Sequence, residues 1–304
     1  MEMRRTPILA MGDSWWRRRQ FVFQESRYSF RIFFKDKLAV AGLCAIVAMW
    51  AVAIFAPVIA PFPAQGRGEE DVKNRLEAPS WEHWLGTDEA GRDILSRVIY
   101  GARIPLLVSA AVAIGVLAIG VPLGGLAGYF GGFVDEAIMR VTDVVLAFPT
   151  LVLAMALVVV LGPSVKNAAI ALLLTWWPWY TRLVRSVAVS LRQRPYVLAA
   201  KAMGIGGLTI VRRHILPNAF GPVAVQVTLD MGAVILAVAG LSFIGLGAQP
   251  PTPEWGLMVS EGRAYILVQW WMSTFPGLAI LILVLAYNLV GDGVRDVMDP
   301  RTRR

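Results

Sequence analysis

The chain has 304 residues, 57% of them hydrophobic and 16% charged, with a mean hydropathy of +0.59, too apolar for a water-soluble chain of this length. Lipid is the solvent for most of it. Its net charge of +8 does not point to nucleic acid, because the bases lie in short segments between apolar runs, the distribution that orients membrane spans.

The first apolar run covers residues 38–60 and is long enough to span, so it reads as a membrane helix and not as a cleavable signal. Arg4, Arg5, Arg17, Arg18, Arg19, Arg27, Arg31, Lys35 and Lys37 precede it, which places the amino terminus in the cytoplasm. Within that segment, Trp15, Trp16, Arg17, Arg18 and Arg19 read as an interfacial piece held by anionic lipid. A polar, external segment at 61–103 is followed by a second span at about 104–129. There Gly120, Gly124 and Gly128 recur at four-residue spacing, which either admits a close neighbouring helix or reflects how common small residues are in membrane helices. A short connection at 131–143 leads to a third span at 144–161, with Pro149 near its start. A fourth span covers about 168–189. The fifth is expected at about 220–246, an external segment at 247–272 carries only Arg263 as a base, and the sixth covers 273–290. Trp270 and Trp271 read as interfacial anchors of that last span, although the external segment as a whole is also a candidate surface for a soluble partner.

The fold class expected is therefore an all-α polytopic membrane protein of about six transmembrane helices with both termini cytoplasmic. Its segments are a basic amino-terminal stretch 1–37, the first span 38–60, an external stretch 61–103, a five-helix core 104–292 and a tail 293–304. Arg182, Arg185, Arg192, Arg194, Lys201, Arg212 and Arg213 crowd the longest basic segment, which contains a loop at 190–217.

No G-x-x-x-x-G-K-[ST] loop, G-x-S-x-G elbow or H-E-x-x-H helix occurs, so no catalytic residue is expected. The single cysteine, Cys44, lies in an apolar run, and His83 and His214 are far apart. No metal site is expected. Asp230 lies inside the fifth span, where an ionisable residue faces a cavity or bundle interior unless the span begins later and leaves it near the interface.

The basic loop carries more pattern. Pro195 suits a first helical position. Tyr196, Ala199, Ala200 and Met203 fall at i, i+3, i+4 and i+7, and Gly204, Gly206 and Gly207 break the chain. A helix of about eight residues is marginal alone, so its apolar face must be covered, either by the chain's own spans and the headgroup region or by a docking partner. Leu208, Val211 and Ile215 form a second stripe before Pro217.

This loop resembles the coupling motif of permease subunits of ATP-binding cassette importers: Ala199, Ala200, Gly204, Leu216 and Pro217 match in identity and spacing. Four further segments resemble the C-type permease subunit of dipeptide and oligopeptide importers. These are Lys37-Leu38-Ala39-Val40-Ala41-Gly42-Leu43; Gly86-Thr87-Asp88 to Gly91-Arg92-Asp93 with Ser96-Arg97; Asp143 to Ala147-Phe148-Pro149; and Leu241-Ser242-Phe243-Ile244-Gly245-Leu246-Gly247 with Gln249-Pro250-Pro251-Thr252-Pro253 and Trp255-Gly256. The sequence departs from the family at two places, where Leu198 and Val238 stand for glutamates.

The resemblance implies a type I importer permease (MetI-like) fold in a bacterial or archaeal cytoplasmic membrane. It implies half of a translocation pathway for peptides or a related small solute, with a homologous B-type permease, two cytoplasmic ATPases that bind ATP and Mg, and an external solute-binding protein as partners. The coupling residues would be Tyr196, Leu198, Ala199, Ala200, Met203, Gly204, Leu216 and Pro217, and the pathway candidates Asp230, Val238 and Ser242. The competing class is a stand-alone ion-coupled carrier or channel.

Overall fold

A computed structural model of the chain describes residues 33–298. The expected interfacial piece at Trp15 to Arg19 and the tail arginines from Arg301 onward lie outside them. Helix α1, Lys37–Ile59, starts at Asp36, whose carboxylate accepts from the Leu38 and Ala39 amides at 2.8 and 3.3 Å, the usual way of satisfying a helix's first free donors. It ends at Ala60, held extended before Pro61, as a residue preceding proline is. After an irregular stretch come α2, Ile94–Gly101, capped by Asp93, and α3, Arg103–Phe130.

The third expected span is built differently from the run at 144–161. Residues 132–146, expected as a connection, are helical: α4, Gly132–Leu146, and α5, Thr150–Leu161, meet at a bend of 85°. Pro149 lacks an amide donor and disfavours helix at Phe148, so the apolar run cannot continue straight. Alone, α5 is about 18 Å long, short of a bilayer's apolar thickness.

Helix α6, Val165–Arg192, fills the place of the fourth span. At about 42 Å it is long enough, but Trp176, Trp177, Trp179, Tyr180, Arg182 and Arg185 make it more polar than the others. Among the described residues four helices are both long and apolar enough to cross a membrane, or five if the bent α4–α5 pair is one span. Helix α7 is Pro195–Ala202. Helix α8, Leu216–Phe243, continues without a break from a short turn at Gly207–Ile210 and a π-turn at Val211–Ile215. Helices α9, Trp255–Gly262, and α10, Trp271–Met298, complete the described residues, so the last helix runs six residues into the segment expected as tail.

The principal packing is α3 on α6. Gly120, Gly124 and Gly128 of α3 lie directly against the backbone of α6 at Trp177, Thr181 and Arg185, so the four-residue spacing marks a close helix contact. Helix α8 covers both and leans on α10, which in turn holds α1. One core gathers Val112, Val116, Leu172, Tyr180, Val184, Val238 and Leu241, and a second joins Ile94, Leu106, Trp255, Leu283 and Tyr287. Because α3 spans the molecule, the irregular stretch before α2 and α9 collect at one end of the long helices and α7 at the other.

Candidate functional site

At the α7 end, the turn after α6 leads through Arg194 into Pro195, whose fixed φ and missing donor suit a first turn. Val197 and Ala200 point inward, 1% and 2% exposed, onto Ala188, Ile210 and Ile215. The helix ends in a Schellman arrangement: the Ile205 amide donates to the Ala200 carbonyl at 3.2 Å and the Gly204 amide to the Lys201 carbonyl at 3.0 Å. Gly204 takes φ +77°, which a glycine adopts without strain. Ile205 packs beside Ala200, the apolar contact that accompanies this cap.

The expected single stripe of Tyr196, Ala199, Ala200 and Met203 is therefore divided. Ala200 belongs to the inward face, while Tyr196, Leu198, Ala199, Met203 and Gly204 are exposed, Met203 by 73%. Pattern reading missed Val197, although its spacing to Ala200 and the Gly204-Ile205 pair carried the signal. In the second stripe Val211 and Ile215 are buried and Leu208 is exposed. Pro217 ends nothing, since it lies in the first turn of α8, where its missing donor coincides with the π-turn. Leu216 rests on Gly125 of α3. A groove of about 500 Å³ runs between α7 and the end of α3, with Tyr129, Phe130, Arg192, Leu198 and Lys201 on its walls.

Beside this end, α4 is tied to α6 by Arg185 to Asp135 at 2.6 Å and by Arg182 to Asp143 at 2.6 Å. Its other side leaves Phe133, Val141, Val144 and the following Phe148 exposed.

The three pathway candidates separate. Asp230 is half-buried at the middle of α8 and accepts from the Tyr180 hydroxyl at 2.8 Å and the Gln226 amide at 2.9 Å. Val238 and Ser242 are 1% and 0% exposed. Val238 fills the first core. Ser242 accepts from the Ala248 amide at 3.1 Å and presses against Gly247, holding the turn after α8. Neither reaches a surface of this chain.

At the opposite end the Gly86 to Arg97 motif folds into a buried ionic cluster. Asp88 accepts from Arg92 Nε at 2.7 Å and Arg97 Nη1 at 2.8 Å, and Glu261 of α9 receives Arg97 Nη2 at 3.2 Å. Asp93 caps α2 through the Ser96 amide at 2.7 Å and meets His83 Nδ1 at 3.0 Å. Trp271 Nε1 donates to the Thr87 carbonyl at 3.2 Å and Trp255 Nε1 to Val98 at 2.9 Å. Burial pushes the Glu261 carboxyl up, against the lowering pull of Arg97 and Arg92. Burial likewise raises Glu254, the cap of α9, whose Oε2 accepts from the Leu257 amide at 2.8 Å. Glu254 and Glu261 carry no pattern in the sequence that singles them out. Among the described residues no group of three or more His, Cys, Asp or Glu is placed to hold a metal ion.

Residues 120–304 match the family described as binding-protein-dependent transport system inner membrane component, and residues 26–79 match the N-terminal TM domain of oligopeptide transport permease C. The chain is 46% identical to a dipeptide transport system permease protein of Alkalihalophilus pseudofirmus, over 91% of this chain and 90% of the relative. It is 46% identical to a probable D,D-dipeptide transport system permease protein of Escherichia coli K12, over 87% and 88%. It is 41% identical to a glutathione transport system permease protein of Pectobacterium atrosepticum, over 91% of each chain. A chain from inward-facing structures of the MetNI methionine ABC transporter superposes with a TM-score of 0.53 at 20% identity, covering 66% of this chain and 96% of that one. That likeness is one of fold.

Proposed function

Because the chain belongs to the family of inner membrane components of binding-protein-dependent transport systems, and is thus a multi-pass permease subunit of an ATP-binding cassette importer, we propose that it forms half of a peptide pathway driven through α7. The observation that carries this reading is the divided face of α7. Val197 and Ala200 anchor it to the permease, while Ala199 and Met203 are exposed to a partner and Tyr196, beside the His214 ring, is partly so. An eight-residue helix pinned on one side and capped by a Schellman turn is a rigid lever rather than a loop. The partner is a cytoplasmic ATPase that binds ATP and Mg, one of two in the complex; the permease contributes shape and no catalysis.

The basic residues Arg192, Arg194, Lys201, Arg212 and Arg213 around α7 support a cytoplasmic side for this end and for both termini. The opposite end, with its ionic cluster, then faces outward toward a solute-binding protein. The free apolar side of α4 supports pairing with a second, homologous permease. Closing of the ATPases on nucleotide pulls α7, and the α3–α6 seam transmits the pull, biasing the spans between two access states. Without an acid at Leu198, docking rests on shape and apolar contact. Peptides are the cargo this reading favours, since the relatives named above are permeases for dipeptides, D,D-dipeptides and glutathione.

Reconstitution tests the proposal. Uptake of labelled peptides into liposomes should require the second permease, the ATPases, ATP and the solute-binding protein together. Uptake by this chain alone without ATP contradicts it.

A further inference from the structure

A furrow of about 390 Å³ runs along α8 between α3 and α10. Its floor is the α8 stripe Leu216, Phe220, Val223 and Val227, with Leu117 and Val121 of α3 on one side and Val294 of α10 on the other. No residue lining it is charged, and its one hydroxyl, on Thr228, donates to the Ala224 carbonyl of its own helix at 2.7 Å. A peptide lying there would leave its amides unpaired, a cost that a hydrocarbon chain does not meet. Leu216 and Thr228 are twelve residues apart, about 18 Å along the helix. The apolar depth of one leaflet is about 15 Å, half of the bilayer core. The furrow therefore begins at the α7 end of α8 and stops near the middle of the membrane.

Its mouth is basic. Arg212 and Arg213 lie four and three residues before Leu216, both are exposed, and among the described residues neither pairs with a carboxylate. Residues 190–229 hold five bases, Arg192, Arg194, Lys201, Arg212 and Arg213, and no acid. On α10, Asp292, Arg295 and Asp296 around Val294 add one negative charge, which leaves the positive excess on the α8 side. Bases at the end of an apolar groove between membrane helices attract anionic headgroups. We propose that the furrow binds an anionic phospholipid of the leaflet on the α7 side, with one acyl chain laid along α8 and the phosphate at Arg212 and Arg213. The lipid fills the gap that α3 and α10 leave over α8, and it ties the turn before α8 to the membrane surface. The site is independent of the cargo and of which side of the membrane the α7 end faces.

The test uses the complete transporter, stripped of lipid in detergent and given palmitoyl-oleoyl phosphatidylglycerol or palmitoyl-oleoyl phosphatidylcholine, with bound lipid counted by native mass spectrometry. The unsubstituted complex should retain one phosphatidylglycerol about thirtyfold more tightly than phosphatidylcholine, the scale of two bases beside an anionic headgroup. Its thermal midpoint should rise as phosphatidylglycerol is added. Arg212→Gln combined with Arg213→Gln should abolish the preference. Ala224→Trp, which fills the furrow, should lose one lipid of either kind. If the tryptophan variant does not assemble, the arginine pair, being exposed, still decides the headgroup contact. Equal retention of both lipids by the unsubstituted complex, an undiminished preference in the arginine pair, or an unchanged lipid count in Ala224→Trp overturns the site. Phe220, 65% exposed in the furrow, can report the occupant in membranes when p-benzoylphenylalanine replaces it in the assembled transporter. Irradiation should give a phospholipid adduct, and a product with the second permease or with labelled peptide overturns the site.

Discussion

Ala199 and Ala200 are neighbours on α7, and the structure assigns them opposite consequences. At Ala200, 2% exposed among Ala188, Val197, Ile210 and Ile215, an aspartate would bury a carboxylate among apolar groups, an uncompensated burial of about 3 kcal/mol or more. An eight-residue helix has little intrinsic stability to set against that, so α7 should detach from the permease. At exposed Ala199 the same substitution costs only the propensity difference, at most about 0.7 kcal/mol, and leaves the helix in place with a charge on its docking face. Trypsin reads the difference at Lys201, which lies within the helix, because the Arg194–Pro195 bond at its start resists the enzyme. Ala200→Asp should raise the cleavage rate there about a hundredfold, the factor that 3 kcal/mol represents. Ala199→Asp should leave cleavage unchanged, lower peptide uptake at least tenfold in the assembled transporter, and spare ATP hydrolysis. Protected Lys201 in Ala200→Asp would refute the inward packing; undiminished uptake in Ala199→Asp would refute the outward docking.

Other parts of the molecule give equally definite expectations. Arg97→Met strips Asp88 and Glu261 of a shared buried partner, which should cost about 3–5 kcal/mol and appear as a lower thermal midpoint in detergent. Gly124→Leu forces a side chain into the Thr181 backbone and Val184 of α6. Overpacking of about 1–3 kcal/mol should loosen the α3–α6 seam and reduce both uptake and its coupling to ATP. Leu198→Glu places an acid four residues after Arg194 and three before Lys201, a gain of about 0.3–0.5 kcal/mol, with the trypsin rate at Lys201 falling by about half. The Glu254 carboxyl is raised by burial, so the folded protein holds that proton more tightly than the unfolded chain. Stability should therefore fall as pH rises from the ordinary glutamate range through the raised value, and Glu254→Gln should flatten that dependence when midpoints are compared across pH.

The membrane class, the helical fold and the family were legible in the sequence because hydropathy, charge placement and short motifs are local signals. The Gly120, Gly124, Gly128 spacing left two readings open, and the contact with α6 decides for the close approach. What was not legible depends on tertiary context. The bend at Pro149 turned one expected span into α4 and α5, because a proline's effect depends on whether neighbouring helices support a continuation. Tryptophans and arginines lowered the apolarity of α6, yet packing against α3 supports it. The face of α7 could not be assigned from periodicity, since Ala200 lies on the boundary of both stripes and only the position of Ile210 and Ile215 decides its direction. Val238, which stands where the family has a glutamate, and Ser242 were expected on the pathway, and in this chain they are 1% and 0% exposed, one in the core and one at the turn after α8. The ionic cluster joins residues 164 apart between Arg97 and Glu261, a pairing no local pattern discloses.

Contact between the outer face of α7 and the ATPase can be read directly by crosslinking. With Cys44→Ser removing the chain's single native thiol, one cysteine placed at Ala199, Met203 or Val197 can be tested for crosslinking to the co-purified ATPase by a short bifunctional maleimide. Ala199→Cys and Met203→Cys should each give a permease–ATPase product and Val197→Cys none. No product at positions 199 and 203 in a complex that still hydrolyses ATP and takes up peptide would contradict that contact.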